Sequence, residues 1–444
     1  MIGVGTPDIN NASGAVTYQA ANQPPEVSGV LPVVVVQHSE ETATLWQLRR
    51  STLALPHSHL RNLLTHDDRL DAHIDGLRIA GEAGWRICQT RILADEPGTL
   101  FAAAVLALEA GHRQKLDAIL AFAEAVPDAH SPLMSALGWV SPEFLQGRAS
   151  ELLTSEAPFA RRMGLACCAL HRVDPRQPLS AGLQDSDALL RARAIRAAGE
   201  LGRQDLGHLC VTTALTDDDD TCRSWAAWSA ALLGNRGVAL DALSHVGQTP
   251  GAHTSRAFRL SLQAMKIDAA HQVLQDLATD PERLRWLIQG AGIAGDPTYV
   301  QWLIGHMEKD ETARIAGEAF SLITGLDLTL LDLERKPPED FESGPNDDPD
   351  DPNVAIDEDD GLAWPDPQKV QRRWDANKSR FTPGQRYFMG APVTREHCIQ
   401  VLKTGYQRQR ILAAHYLCLL EPGTPLFNTG APAWRQQRQL ADMK

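Results

Sequence analysis

Several signatures are missing from this chain, and each absence removes a class of function. The seven cysteines include no C-x-x-C pair, so neither a zinc ribbon nor a dithiol redox motif is expected. Cys88, Cys210, Cys222, Cys398, Cys418 and the adjacent Cys167 and Cys168 stand in apolar surroundings and read as reduced, buried thiols. No G-x-S-x-G, H-E-x-x-H or phosphate-binding loop occurs, so no enzyme and no cofactor are expected. The run "VLPVVVV" (Val30–Val36) is far too short to span a bilayer, and no membrane insertion is expected. Neither a basic region nor an apolar stretch of signal-peptide type precedes Asn22, which points to the cytoplasm. An excess of basic residues is also lacking. The net charge is −14 over 444 residues, which disfavours nucleic acid as a partner.

What the chain does contain is repetition. "LQDSDALLRARAIRAAGELG" (Leu183–Gly202) and "LTDDDDTCRSWAAWSAALLG" (Leu215–Gly234) place Leu183 on Leu215, Asp185 on Asp217, Arg191 on Arg223 and Gly202 on Gly234. Weaker copies put Arg161 in register with Arg191 and end at Gly295 and Gly325. A fixed period of this length marks stacked repeats. Within one copy, Leu190, Ala194, Ala197, Ala198 and Leu201 form one helical face. Acids at the start and a glycine at the end supply cap and stop. A single hairpin of this kind cannot bury its apolar stripe, whereas a stack can. The expected fold is all-α: a HEAT-like helical-hairpin solenoid with a small helical C-terminal module. The chain divides into a disordered tail (1–29), a repeat array (30–333), an acidic proline-rich linker (334–363) and the module (364–444).

One variable stripe runs along the second helices. Its trios are Met163, Ala166, Leu170; Arg193, Arg196, Glu200; Trp225, Trp228, Leu232; Trp286, Gln289, Ile293; and Ala316, Ala319, Ile323. Two readings compete. The stripe is a packing seam with the tryptophans in the core, or it lines a concave groove that binds a protein. The second reading makes Arg193, Arg196, Glu200, Trp225, Trp228 and Trp286 the binding residues, because Trp and Arg dominate binding hot spots. Three charges in a dry seam would be unfavourable, which keeps that reading open.

Other clusters carry less. His57, His59, His66 and His73 crowd near Asp67, Asp68 and Asp71, but their spacing is poor for a metal and favours a solvated face. Pro337–Gly361 holds 11 acids and no base, and Asp366–Leu412 holds 10 bases and 3 acids. The acidic run lacks the glycine of a calcium loop and is broken by Pro349 and Pro352. It serves either as a spacer or as a cover for the basic segment or a basic partner. Tyr406, Arg408, Arg410 and His415, with Arg386 and Tyr387, form a group suited to phosphate or RNA, or to snorkelling over a helical core.

Six phrases share one pattern of likeness: "QHSEETATLWQLR" (Gln37–Arg49), "LDAHIDGLRIAGEAGW" (Leu70–Trp85), "LAWPDPQKVQRRWDANKSRF" (Leu362–Phe381), "GQRYFMGAPVT" (Gly384–Thr394), "GYQRQRILAAH" (Gly405–His415) and "PGTPLFNTGAPAWRQQR" (Pro422–Arg438). With the L-x-D…R-x-x-A…L-G grammar of the repeats, the chain resembles bacterial HEAT-like repeat proteins of the short, phycobilin-lyase type often encoded among type VI secretion genes. The likeness spans about Leu31 to Arg438 and brings no catalytic residue with it. It implies a cytoplasmic adaptor or accessory protein that binds a secreted effector or a secretion subunit. An immunity protein that occludes a toxin is one alternative. A lyase-like or glycosylase-like HEAT enzyme is another, though a glycosylase needs a basic concave face.

Overall fold

The computed structural model describes residues 30–92, 97–339, 341 and 357–443. The expected tail and most of the acidic run, residues 340 and 342–356, lie outside the described residues. The protein is all-α. Among the described residues there are 22 α-helices and one two-stranded sheet, in which Tyr387–Phe388 pairs antiparallel with Ala391–Pro392. Within each of two units, many helices pack on the next or next-but-one along the chain. No described helix is long and apolar enough to cross a membrane.

The repeated phrase has a local physical meaning. Asp185 accepts the backbone N–H of Asp187, and Asp187 caps its helix through the N–H of Leu190 at 2.8 Å. Arg191 then reaches back to donate to the carbonyl of Asp185 at 2.7 Å. The second copy repeats each bond: Asp217 accepts from Asp219, Asp219 from Cys222, and Arg223 donates to the carbonyl of Asp217. In the earlier copy Ser155 replaces the aspartate, accepting from Ala157, and Arg161 donates to its carbonyl. The acid and the arginine six residues on therefore lock the turn that starts each second helix.

Contacts divide the chain into two compact units. Of the described residues, the first comprises 30–53, 60–92, 97–197 and Gly430–Gln439. At its centre is the helix Pro97–Glu109, buried from Gly98 to Leu108. It is apolar on all sides, as a helix enclosed by neighbours must be. Trp46 stacks on Phe101, which meets Trp139 edge-on. The chain end is stitched into this unit by ions. Buried Asp67 takes Arg49 on one oxygen and the N–H of Ala433 on the other, both at 2.6 Å. Arg435 donates to the carbonyls of Gly138, Trp139 and Val140.

The second unit comprises Ala54–His59, Ala198–Thr429 and Leu440–Lys444. Its helices Asp220–Leu232, Thr254–Ala264, Leu284–Ala294 and Asp310–Thr324 are the second members of successive pairs. The last two end at Gly295 and Gly325 in left-handed geometry. The segment that follows the acidic run supplies partners for the carbonyls such ends leave open. Tyr387 N–H donates to Gly295 O, Met389 N–H to Leu322 O, and Gly390 N–H to Ile323 O. Arg386 donates to the carbonyls of Gln263, Met265 and Ala294, placing a cation at two helix C-termini. Leu426 N–H donates to Glu200 O. The helix Gln407–Leu420 packs on Asp220–Leu232 and Thr254–Ala264.

Gly290-Ala-Gly-Ile-Ala-Gly295 has the spacing of a dinucleotide-binding turn, yet it lies in a helix rather than after a strand. A side chain on Gly292 would collide with the Ala319 backbone. These glycines serve close helix packing.

Candidate functional site

Three second helices and the Gln407–Leu420 helix of the second unit enclose a half-open cavity of about 400 Å³. Phe258 and Arg259 come from Thr254–Ala264, and Arg285, Trp286, Gln289 and Ile293 from Leu284–Ala294. Ile315, Glu318, Ala319 and Leu322 come from Asp310–Thr324, and Arg408 and Leu412 lie one helical turn apart. Glu358, from the acidic run, completes the wall and is exposed at the rim. Trp286 meets Phe258 edge to face, with ring centroids 5.1 Å apart.

The charges are nearly matched. Arg285 grips Asp359 through both terminal nitrogens, at 2.8 and 2.6 Å, and its Nε reaches Glu358 at 2.8 Å. That hydrogen bond to Asp359 raises the arginine's pKa despite burial. Beside it, Arg314 pairs with Asp357 and stands over the rings of Phe341 and Trp364, which meet edge-on. The described end of the acidic run is thus held by arginines of the second helices. Arg408 Nη1 donates to both oxygens of Glu318, at 3.1 and 3.0 Å. Burial raises the pKa of Glu318 against the pull of Arg408.

Arg259 differs. Its Nε donates to Ser255 O at 3.1 Å, and among the described residues no carboxylate forms an ion pair with it. Burial, and then repulsion from Arg408, lower its pKa, with Glu318 opposing both. Among the described residues no histidine or cysteine lines the cavity, and its one sequestered acid, Glu318, is engaged by Arg408. The arrangement suits capture of an anion with an apolar body better than proton transfer.

Compared with family models, with curated proteins and with solved structures, the chain has no significant match.

The expected binding residues separate. Arg193 and Arg196 belong to the first unit, where both are half-buried. Glu200, Trp225, Trp228 and Trp286 belong to the second. Glu200, Trp225 and Trp228 are buried, at 5%, 8% and 4% exposure. Trp225 packs edge-on against Trp228 and under Arg256, and Trp228 meets His415. Of the three tryptophans, Trp286 alone is half-buried and lines the cavity.

Of the suspected anion-binding group, only Arg408 lines this cavity. Arg410 is fully buried, donating to Leu402 O and Gln407 Oε1, and burial lowers its pKa to about 10. His415 donates through Nδ1 to Gln263 Oε1 at 3.0 Å inside the core. Among the described residues no cluster of three metal-ligating side chains exists, and Asp67 serves Arg49 instead. The seven cysteines are free and buried. Reading the sequence missed Arg259, Arg285 and Glu318. The available signal was a charge beside an aromatic, Arg259 after Phe258 and Arg285 before Trp286, and for Glu318 an opposite charge at i−4, Arg314.

Proposed function

We propose that the protein is a non-enzymatic scaffold of HEAT-like hairpins that binds another protein, with the second unit's cavity receiving an anchor from that partner. The observation that carries this reading is the coexistence, in one half-open cavity, of an aromatic and aliphatic wall with Arg259, a cation that forms no ion pair with a carboxylate among the described residues. Trp and Arg in a partly desolvated pocket are the usual centre of a protein-binding hot spot. The role as an adaptor or accessory of type VI secretion, with an effector or secretion subunit as partner, rests on the resemblance of the six quoted phrases alone.

The test is affinity capture with the full chain from its native cytoplasm, followed by direct binding of the purified partner. Trp286→Ala and Arg259→Gln, each retaining the wild-type melting temperature, are expected to lose that partner. Unchanged binding by both variants would move the interface away from the cavity. If the captured partner is a toxin whose activity the chain abolishes, the immunity role replaces the adaptor role.

A further inference from the structure

Among the described residues Arg259 is the cavity's unmatched cation. The nitrogens of Arg285 are taken up by Asp359 and Glu358, and Arg408 Nη1 by Glu318. Arg259 uses Nε on a main-chain carbonyl of its own helix, and among the described residues its terminal N–H groups have no acceptor. We infer that the cavity takes the free C-terminal carboxylate of a partner chain whose last residue is apolar. This rests on the protein-binding reading above and specifies the element recognised.

Three observations select that ligand. The first is charge. Glu318 and Glu358 line the same cavity and Asp359 is bound to Arg285, so a dianionic phosphate would meet several carboxylates for the one cation that is unpaired among the described residues. A carboxylate carries a single charge and matches the parallel N–H groups of a guanidinium. The second is the wall. Phe258, Trp286, Ile293 and Leu412 present apolar surface beside the cation, which calls for an apolar group next to the acid. The third is size and access. The cavity, about 400 Å³, is near the lower end of the roughly 300–1,000 Å³ range of ligand pockets. A chain end enters with one strand of backbone. An internal Asp or Glu needs two strands, which must both pass the exposed carboxylate of Glu358 at the rim.

The experiment is calorimetric titration of the full chain with four probes. They are acetyl-Gly-Gly-Phe with a free carboxylate, the same peptide as its C-terminal amide, acetyl-Gly-Asp-Phe amide, and 3-phenylpropanoate. The free acid is expected to bind at least about tenfold more tightly than either amide and than 3-phenylpropanoate. Arg259→Gln should erase the preference for acid over amide without changing the melting temperature, and Trp286→Ala should weaken acid and amide together. The inference is overturned if acid and amide bind alike, if the aspartyl amide binds as well as the free acid, if 3-phenylpropanoate matches the peptide, or if none binds. The two readings fail separately. A partner captured through Trp286 with no preference for the acid removes this inference and leaves the scaffold. Acid-selective peptide binding with no protein partner removes the scaffold and leaves the carboxylate site.

Discussion

Asp359 and Arg285 stand 74 residues apart in the chain and meet through two parallel hydrogen bonds of 2.6 and 2.8 Å. The carboxylate is almost completely covered, while the arginine side chain keeps about a third of its surface in water. Asp359 N–H also closes a turn on Asp357 Oδ1. The pair therefore pins the end of the acidic run to the Leu284–Ala294 helix. Asp359→Asn keeps the shape and removes the charge. It is expected to destabilise the protein by about 2 kcal/mol, less than the roughly 3–5 kcal/mol of a fully buried pair because Arg285 is partly hydrated. Urea unfolding of Asp359→Asn, Arg285→Gln and the double variant checks this, and additive effects of the two changes would show that the pair is not coupled.

Gly295 and Gly111 both have positive φ, but their surroundings differ. A side chain on Gly295 would strike the Tyr387 carbonyl, whereas one on Gly111 meets nothing within 4 Å. Gly111→Ala should cost about 1 kcal/mol, from left-handed geometry alone. Gly295→Ala should cost about 3 kcal/mol or more, because the Arg386–Tyr387 backbone must also move. Equal melting temperatures for the two variants would mean that the contact at Gly295 has no energetic weight.

His415 gives a pH dependence with a defined sign. Burial, then repulsion from Arg259 and Arg256, lower its pKa from 6.5 to about 3. Above 6.5 the imidazole is neutral in both folded and unfolded chains and contributes no slope. As pH falls from 6.5 toward 3, the unfolded chain takes up a proton that the folded chain excludes, so stability is lost by up to roughly 1.4 kcal/mol per pH unit. His415→Gln should flatten that part of the profile between about pH 6 and about pH 4. Parallel profiles for wild type and variant would show that the folded protein tolerates the imidazolium.

The helical class was legible from apolar periodicity, and the turn chemistry of the repeats from Asp185, Arg191 and their counterparts. The identity of the open face was not. Trp225, Trp228 and Trp286 lie on one stripe, Trp225 and Trp286 at the same position of their trios, and nothing in their local spacing tells which is covered. What separates them is the helix Gln407–Leu420, which packs on the helix of Trp228 and brings His415 to its ring. That cover comes from 187 residues further along the chain, a distance given by His415 and Trp228, over which periodicity carries no information. Arg285 was hidden for the same reason, since its partners arrive from the acidic run.

The two tryptophans therefore separate stability from binding. Trp228 is buried, and its Nε1 donor finds no acceptor among the described residues. Trp228→Ala should destabilise by about 3–5 kcal/mol and abolish every activity together. Trp228→Phe removes the orphan donor along with some volume and should cost well under half of that. Trp286→Ala, on the cavity wall, should leave the melting temperature nearly unchanged and weaken only ligand binding. Thermal melts of the three variants beside one binding assay check the division.

The segment from Gly384 to Gly390 behaves like a ruler laid against the ends of successive rods. Tyr387, Met389 and Gly390 each find a carbonyl at one helix terminus, and Arg386 finds carbonyls at two. Arrays without such a ruler lengthen or shorten by whole hairpins with little penalty, since each unit answers only to its neighbours. Here an added or deleted hairpin between Gln263 and Ile323 would throw every tick mark out of step. The number of rods in that stretch is fixed by a piece of chain that is not itself a rod.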